Sequence, residues 1–195
     1  MSFVNFHKRE ITMKVVYYGA AESGKTTNLI YLHQTVQGDA RGDLVTLDTV
    51  GERTLFFDFF PVSLGEVMGF KVKLQLYTVP GQSHYLASRR LVLEGADGIV
   101  FVIDSQWQRF AENLASWDDL LENMKHHGMT PEKIPIMLQY NKRDLPGVVA
   151  VGALEKRIAL RPEAVFEACA LNGMGVMNSV RWITKAAIQR FAFEG

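Results

Sequence analysis

The stretch Gly19-Ala20-Ala21-Glu22-Ser23-Gly24-Lys25-Thr26 matches the pattern G-x-x-x-x-G-K-[ST] without a gap, and nothing else in the chain narrows its fold as much. The pattern needs a strand before it and a helix after it. Both are legible: Ile11 to Tyr18 is a β-branched and aromatic run that predicts a strand, and the back half of GAAESGKTTNLIYLHQTV reads as a helix. Glycines let backbone N–H groups turn inward around phosphate oxygens at a helix N-terminus, where aligned peptide dipoles favour an anion. Lys25 adds a point charge for the β- and γ-phosphates, the Thr26 hydroxyl can reach Mg²⁺, and Thr27 joins the phosphate-binding set.

Strand-like runs alternate with helical patterns along the rest of the chain, as in a sheet with crossover helices. Thr54 to Val62 and Phe70 to Tyr77 are strand candidates separated by SLGEVMG, a spacing that suits an antiparallel hairpin. Gly98 to Asp104, GIVFVID, is a continuous apolar run of the kind buried on both faces of a parallel sheet, and it is expected to be the central strand. Between Trp107 and His127 the residues Phe110, Leu114, Trp117, Leu121 and Met124 fall on one helical stripe. Ile134 to Tyr140 and Ala164 to Ala168 are further strands, and a final helix runs from about Gly175 to Phe193. These elements predict one α/β domain over residues 1–195, a mostly parallel six-stranded sheet with one antiparallel edge strand and helices on both faces. Ligands are expected at the carboxyl ends of the strands.

Charge and composition exclude several classes. The 21 basic and 21 acidic residues cancel, which removes the broad attraction that nucleic acid or an anionic lipid surface needs. No apolar run approaches the ~20 residues that span a bilayer. The start MSFVNFHKRE lacks the hydrophobic block of a secretory signal, the second residue is Ser2 and not the glycine that myristoylation needs, and no C-terminal prenylation cysteine is encoded. A cytoplasmic protein with no direct membrane anchor is expected, monomeric when free. Cys169 is the single cysteine, so there is no disulfide framework and no thiolate metal cluster.

Phosphates do not identify the base, but Asn141-Lys142-Arg143-Asp144, just beyond a predicted strand, does. Asp144 can accept two hydrogen bonds from the guanine N1–H and exocyclic amine, which adenine cannot offer. Asn141 would read the other edge, and the Lys142 stem would cover the ring face. An ATP-dependent kinase or transport ATPase is disfavoured on the same residues.

With both motifs in hand, the chain resembles the Ras-like small GTPases. The segments Arg53-Thr54-Leu55-Phe56-Phe57-Asp58-Phe59 and Tyr77-Thr78-Val79-Pro80-Gly81-Gln82 look like the bacterial gliding-motility GTPases of the MglA type, and the resemblance runs from about Arg9 to the C-terminus. It implies a Ras-like G domain that binds GTP or GDP with Mg²⁺. Thr54 would be the switch I threonine that ligates the metal with Thr26 and senses the γ-phosphate. Gln82 would orient the attacking water, and Gly81 would contact the γ-phosphate through its N–H. Arg53 would be an arginine finger supplied in cis, and Lys25 would offset developing charge. Ala168-Cys169-Ala170 looks like the last guanine-contacting loop, with the Ala170 N–H directed at guanine O6. Cys169 reads as a small packed residue near the base and not as a reactive thiol.

Three departures from the wider Ras pattern matter. The aspartate usual before the switch II glutamine is missing, and Thr78 stands in its place, as in the MglA type. An indirect contact to Mg²⁺ must then come through a hydroxyl or from elsewhere: Asp58 is a candidate, and its other reading is the solvent-facing position of its strand. Ala21 stands where Ras-like proteins carry glycine, and its methyl would face the space that Gln82 and Arg53 must enter. Glu22-Ser23-Gly24-Lys25 is similar to the phosphate loop of heterotrimeric G-protein α subunits, so Glu22 could hold Arg53 near the site or away from it.

The strand LFFDFFPV has Leu55, Phe57 and Phe59 on one face and Phe56, Phe60 and Asp58 on the other. It is either a two-sided core strand or an aromatic row beside switch I that serves nucleotide-dependent docking, and Pro61 suits an edge strand. His126 and His127 read as a surface cap at a helix end, and Trp107 and Trp117 as helix-to-sheet packing. The resemblance implies a roadblock-domain GTPase-activating partner (MglB-like), motility or polarity effectors, and recruitment to cell poles by partners. The expected function is a slow GTPase switch controlling bacterial polarity or gliding and twitching motility. The alternative is a guanine-nucleotide-bound interaction module with impaired or no hydrolysis.

Overall fold

In a computed structural model the chain is described over residues 3–36, 42–47, 57–67, 69–81, 85–158 and 162–194. The strands are β1 (Phe3–Asn5), β2 (Glu10–Tyr18), β3 (Val45–Leu47), β4 (Phe57–Val67), β5 (Phe70–Thr78), β6 (Gly98–Asp104), β7 (Ile136–Asn141) and β8 (Ala164–Glu167). The helices are α1 (Lys25–Thr35), α2 (Leu86–Leu93), α3 (Phe110–His126) and α4 (Val176–Glu194). One sheet runs in the order β3-β4-β5-β2-β6-β7-β8, with β1 paired to β2. β2, β5, β6, β7 and β8 pair in parallel, and β4 is antiparallel to both β3 and β5.

The α/β class is as expected, with eight strands among the described residues where six are legible in sequence. The additional strands, β1 and β3, are three residues each, too short for an alternation to show. β6 is buried along its whole length but lies between β2 and β7, one place from the middle of the order, which β2 occupies. The SLGEVMG segment is mostly strand: β4 continues to Val67, with a register irregularity between Ser63 and Glu66, and Val67 pairs with Phe70 across a tight turn. Gly69 sits in that turn at φ +80°, a conformation other residues rarely take. Pro61 is not on the outermost strand, because β3 covers β4. Pro61 does account for where β3 begins, since the ladder ends at Val45–Phe59, a proline has no N–H to extend it, and beyond it the Gly42 N–H donates to the Pro61 carbonyl at 3.0 Å.

Alternation along β2 and β6 sends side chains to two cores. Met13, Val15, Tyr17, Val100 and Val102 pack with Leu29 and Leu32 of α1 and Ile183 of α4. Val16, Tyr18, Ile99, Phe101 and Ile103 pack with Leu93 of α2 and Trp117 and Leu120 of α3. Trp117 stands edge-on to Phe101, ring centroids 5.0 Å apart. Leu120, fully buried, contributes roughly 1.5–3 kcal/mol by leaving water. Trp107 does not pack on the sheet: it is 68% exposed and stacks on Phe110. His127 ends α3, and its Nε2 lies 2.8 Å from the Arg90 carbonyl of α2. In β4, Phe60 is buried in the core and Phe59 lies against Tyr77. Leu55 and Phe56 lie outside the described residues, so the aromatic row is settled as core only at Phe60. Among the described residues no helix is long and apolar enough to cross a membrane.

Candidate functional site

Because β2, β6, β7 and β8 are parallel neighbours, the loops that leave their carboxyl ends gather along one edge of the sheet. The first is Gly19–Thr26. Gly19 has φ +144°, and a Cβ there would lie 2.3 Å from the Val102 carbonyl oxygen. Gly24 has φ +99°, and its Cβ would lie 2.2 Å from Asn141 Nδ2. Gly19 is therefore required by the approach of a backbone carbonyl and Gly24 by the Asn141 side chain, each with positive φ besides, and Glu22 takes the left-handed conformation without that freedom, at φ 61°. Gly24 caps α1 with no side-chain acceptor, and the first turn carries no acid, so the helix offers its N-terminal N–H groups to an outside anion.

Lys25 lies back along the loop. Its Nζ donates to the carbonyls of Gly19 at 2.9 Å and Ala20 at 2.6 Å. Burial, with the charge of Arg89 second, pushes the ammonium down to about 7, against an upward pull from Asp58. A desolvated cation of this kind gains most from a bound anion, which restores its charge.

Asp58 closes the other side of the loop. Thr26 Oγ1 donates to Asp58 Oδ2 at 2.5 Å, Thr78 Oγ1 donates to the same oxygen at 2.9 Å, and the Asp58 N–H donates to Thr78 Oγ1 at 2.9 Å. The solvent-facing reading of Asp58 is thereby overturned, since the residue is buried and faces Thr26. Hydroxyl and carboxylate oxygens are the hard donors that Mg²⁺ takes. Among the described residues no group of three or more His, Cys, Asp or Glu could hold a metal ion.

Asn141 joins the loops. Its Nδ2 donates to the Ser23 carbonyl at 2.8 Å, and its Oδ1 accepts from the Ala170 N–H at 2.9 Å. The Ala170 N–H, expected to face guanine O6, is thus directed at Asn141. Arg143 fastens the same corner, donating to the Val149 carbonyl at 2.7 Å and to Glu167 at 2.8 Å. Lys142 has φ 62° and reaches Asp104 with its Nζ at 2.7 Å. Asp144 is exposed at the mouth. Cys169 is buried, its backbone bridged to Met174, and burial together with its hydrogen bond to Asp144 pushes the thiol up, away from reactivity. Ala168 receives the Arg143 N–H on its carbonyl.

Gly81 lies against the phosphate loop: a Cβ on it would come within 2.4 Å of both Ala21 Cα and Ala21 N. Arg53, Thr54 and Gln82 lie outside the described residues. Two residues at the site were not found by sequence reasoning, Asp104 and Arg109. Asp104 had a signal, an acid ending an apolar strand at its carboxyl edge. Arg109 had none, because no spacing connects it to the Ala21 carbonyl that it contacts across 88 residues.

A phosphate loop on a strand end, joined through one asparagine to a base-reading loop, defines a P-loop guanine-nucleotide protein. Residues 1–187 match the ADP-ribosylation factor family, and the chain belongs to this Arf/Ras-like family of small GTPases. It is 46% identical over 188 residues to the mutual gliding-motility protein MglA of Myxococcus xanthus (strain DK1622), covering 96% of each chain. It is also similar to ADP-ribosylation factor-like protein 6 of Caenorhabditis elegans, 24% identical over 94% of this chain and 90% of that one. ADP-ribosylation factor-like protein 4D of Mus musculus is 26% identical over 91% of this chain and 84% of its own. Guanine-nucleotide binding comes with the family.

Proposed function

We propose that this chain is a single-domain GTP-driven switch over residues 1–195 that hydrolyses GTP slowly and controls bacterial cell polarity or gliding motility. What carries the reading is the Asn141 strut: one side chain holds Ser23 of the phosphate loop and Ala170 of the base loop, so phosphate grip and base identity form one site. The likeness to the gliding-motility protein supports the biological role. Gly19 through Thr27 hold the phosphates; Asn141, Lys142, Asp144 and the Ala168–Ala170 loop hold guanine. Thr26, Thr54 and, through its hydrogen bond to Thr26, Asp58 would hold Mg²⁺. The ion, when bound, neutralises phosphate charge. Lys25 offsets charge on the transferring phosphoryl group, Arg53 adds to it in cis, and Gln82 places the attacking water. Unassisted turnover is expected closer to ~10⁻⁴ s⁻¹ than to 1 s⁻¹, as for other switches of this mechanism. A roadblock-domain activator that positions Arg53 and Gln82 would raise it, and polarity effectors would recruit the cytoplasmic, free monomer to cell poles.

The deciding experiment measures GTP hydrolysis by wild type beside Arg53→Ala and Gln82→Leu, each checked for retained nucleotide. Both variants should keep GDP and lose at least about tenfold in single-turnover rate. Wild-type rates in both would refute the assigned roles.

One observation favours the alternative, a nucleotide-bound interaction module without turnover. Ala21 meets Gly81 at backbone contact, and its methyl adds bulk at a loop position where Ras-like proteins carry glycine. Ala21→Gly should raise single-turnover GTP cleavage, and an unchanged rate would count against steric crowding.

A further inference from the structure

Arg109 ends the turn before α3 and crosses to the phosphate loop, where Nη2 donates to the Ala21 carbonyl at 2.8 Å. Its Nη1 pairs with Glu112 at 3.1 Å, and its Nε stands 3.9 Å from Asp104 Oδ2. Asp104 is fully buried. Its carboxylate accepts from Lys142 Nζ at 2.7 Å and from the backbone and side-chain nitrogens of Gln106, each at 3.1 Å. A buried carboxylate gripped by this many donors fixes the groups that surround it. One buried acid therefore faces the lysine of the base loop and the arginine that touches the phosphate loop.

The Ala21 carbonyl matters because of the peptide that it belongs to. In a trans peptide the C=O and the following N–H point in opposite directions, and no cis peptide occurs among the described residues. A carbonyl turned out to Arg109 turns the Glu22 N–H the other way, into the loop. Glu22 is also the non-glycine residue in this loop with positive φ, a conformation that persists only where its surroundings hold it.

We propose that Arg109, braced by Asp104, is a positioning residue for nucleotide binding: it holds the Ala21–Glu22 peptide so that the Glu22 N–H grips the β-phosphate, and it ties that grip to Lys142 at the base. The inference rests on the guanine-nucleotide reading above. Removing Arg109 frees the peptide to turn, and the loss falls on ligands that have a β-phosphate. GMP, which lacks one, is spared.

The test is competition of GDP and GMP against fluorescent mant-GDP on the full chain with Mg²⁺, for wild type, Arg109→Gln and Arg109→Lys. Arg109→Gln should lower the GDP-to-GMP affinity ratio about tenfold, the size of one lost hydrogen bond to a charged group, with GMP affinity held within about twofold. Arg109→Lys keeps the charge beside Asp104 without the fork, and should lower the ratio about threefold. If Arg109→Gln fails to fold, the lysine variant decides by the same ratio. An unchanged ratio overturns the proposal, and so does an equal loss of GDP and GMP, which marks a purely structural role. Wild type unable to retain mant-GDP overturns the nucleotide reading and this inference with it, whereas a wild type that binds with an unchanged variant ratio overturns this inference alone.

Discussion

Asp144→Ala should weaken GDP and GTP binding by about 10²–10⁴-fold, because two hydrogen bonds from the guanine edge to an ionised carboxylate are each worth about 1.5–3 kcal/mol. Asp144 is exposed at the mouth and reaches the body of the protein through the Cys169 thiol. The fold should therefore survive, and the loss should appear in nucleotide affinity with little change in thermal unfolding of the nucleotide-free chain. Asp144→Asn refines the result. An amide offers one acceptor and one donor, which suits the N1–H and C2 carbonyl of xanthine, so xanthosine diphosphate should displace GDP as the better ligand. Isothermal titration with both nucleotides reads this directly, and GDP affinity within about threefold of wild type in both variants would refute base reading by Asp144.

Gly81→Ala should lower single-turnover GTP hydrolysis by about 10²–10³-fold, the usual consequence of losing one preorganised backbone donor. The reason is steric. The new Cβ would lie 2.4 Å from Ala21 Cα, 2.4 Å from Ala21 N and 2.7 Å from Ala20 C. All three are main-chain atoms that cannot swing aside, so either the phosphate loop or the Pro80–Gly81 stretch must move. GDP affinity should fall less than the rate does, since the Gly81 N–H is expected to serve the γ-phosphate. Adding Ala21→Gly should not rescue the variant, because the clashing atoms remain in glycine; a rescue would place the obstruction in the Ala21 methyl instead.

The phosphate loop and the base loop were legible because their chemistry needs fixed residue types at fixed spacing, and the strand and helix around Gly19–Thr26 could be read from β-branched runs and helical periodicity. β6 was legible for the same reason, as an unbroken apolar run. The helix α2 was not read, since its exposed Leu91 and its buried Ser88 and Arg89 blur the apolar stripe that marks an amphipathic helix. α3 was legible from its apolar stripe, but the stripe did not show that Asn113 and Asn123 are buried on it. Both are satisfied by hydrogen bonds that no periodicity records, Asn113 to the Asp104 backbone and Asn123 to Tyr18 and Asp119. The contacts of Asn141, Asp104 and Arg109 are likewise tertiary, made between loops distant in sequence. Asp58 was visible as an acid among phenylalanines, yet only the pairing of β4 with β5 decides that it turns toward Thr26.

That pairing has a consequence for how such proteins are compared. The acid beside Thr26 stands on β4, and Thr78 of the neighbouring strand β5 holds it. A column-by-column inspection centred on Thr78 would find no acid there, while a carboxylate stands beside Thr26 one hairpin arm away. Inventories of inactive G domains drawn from missing carboxylates should therefore inspect the adjoining strand as well as the expected column.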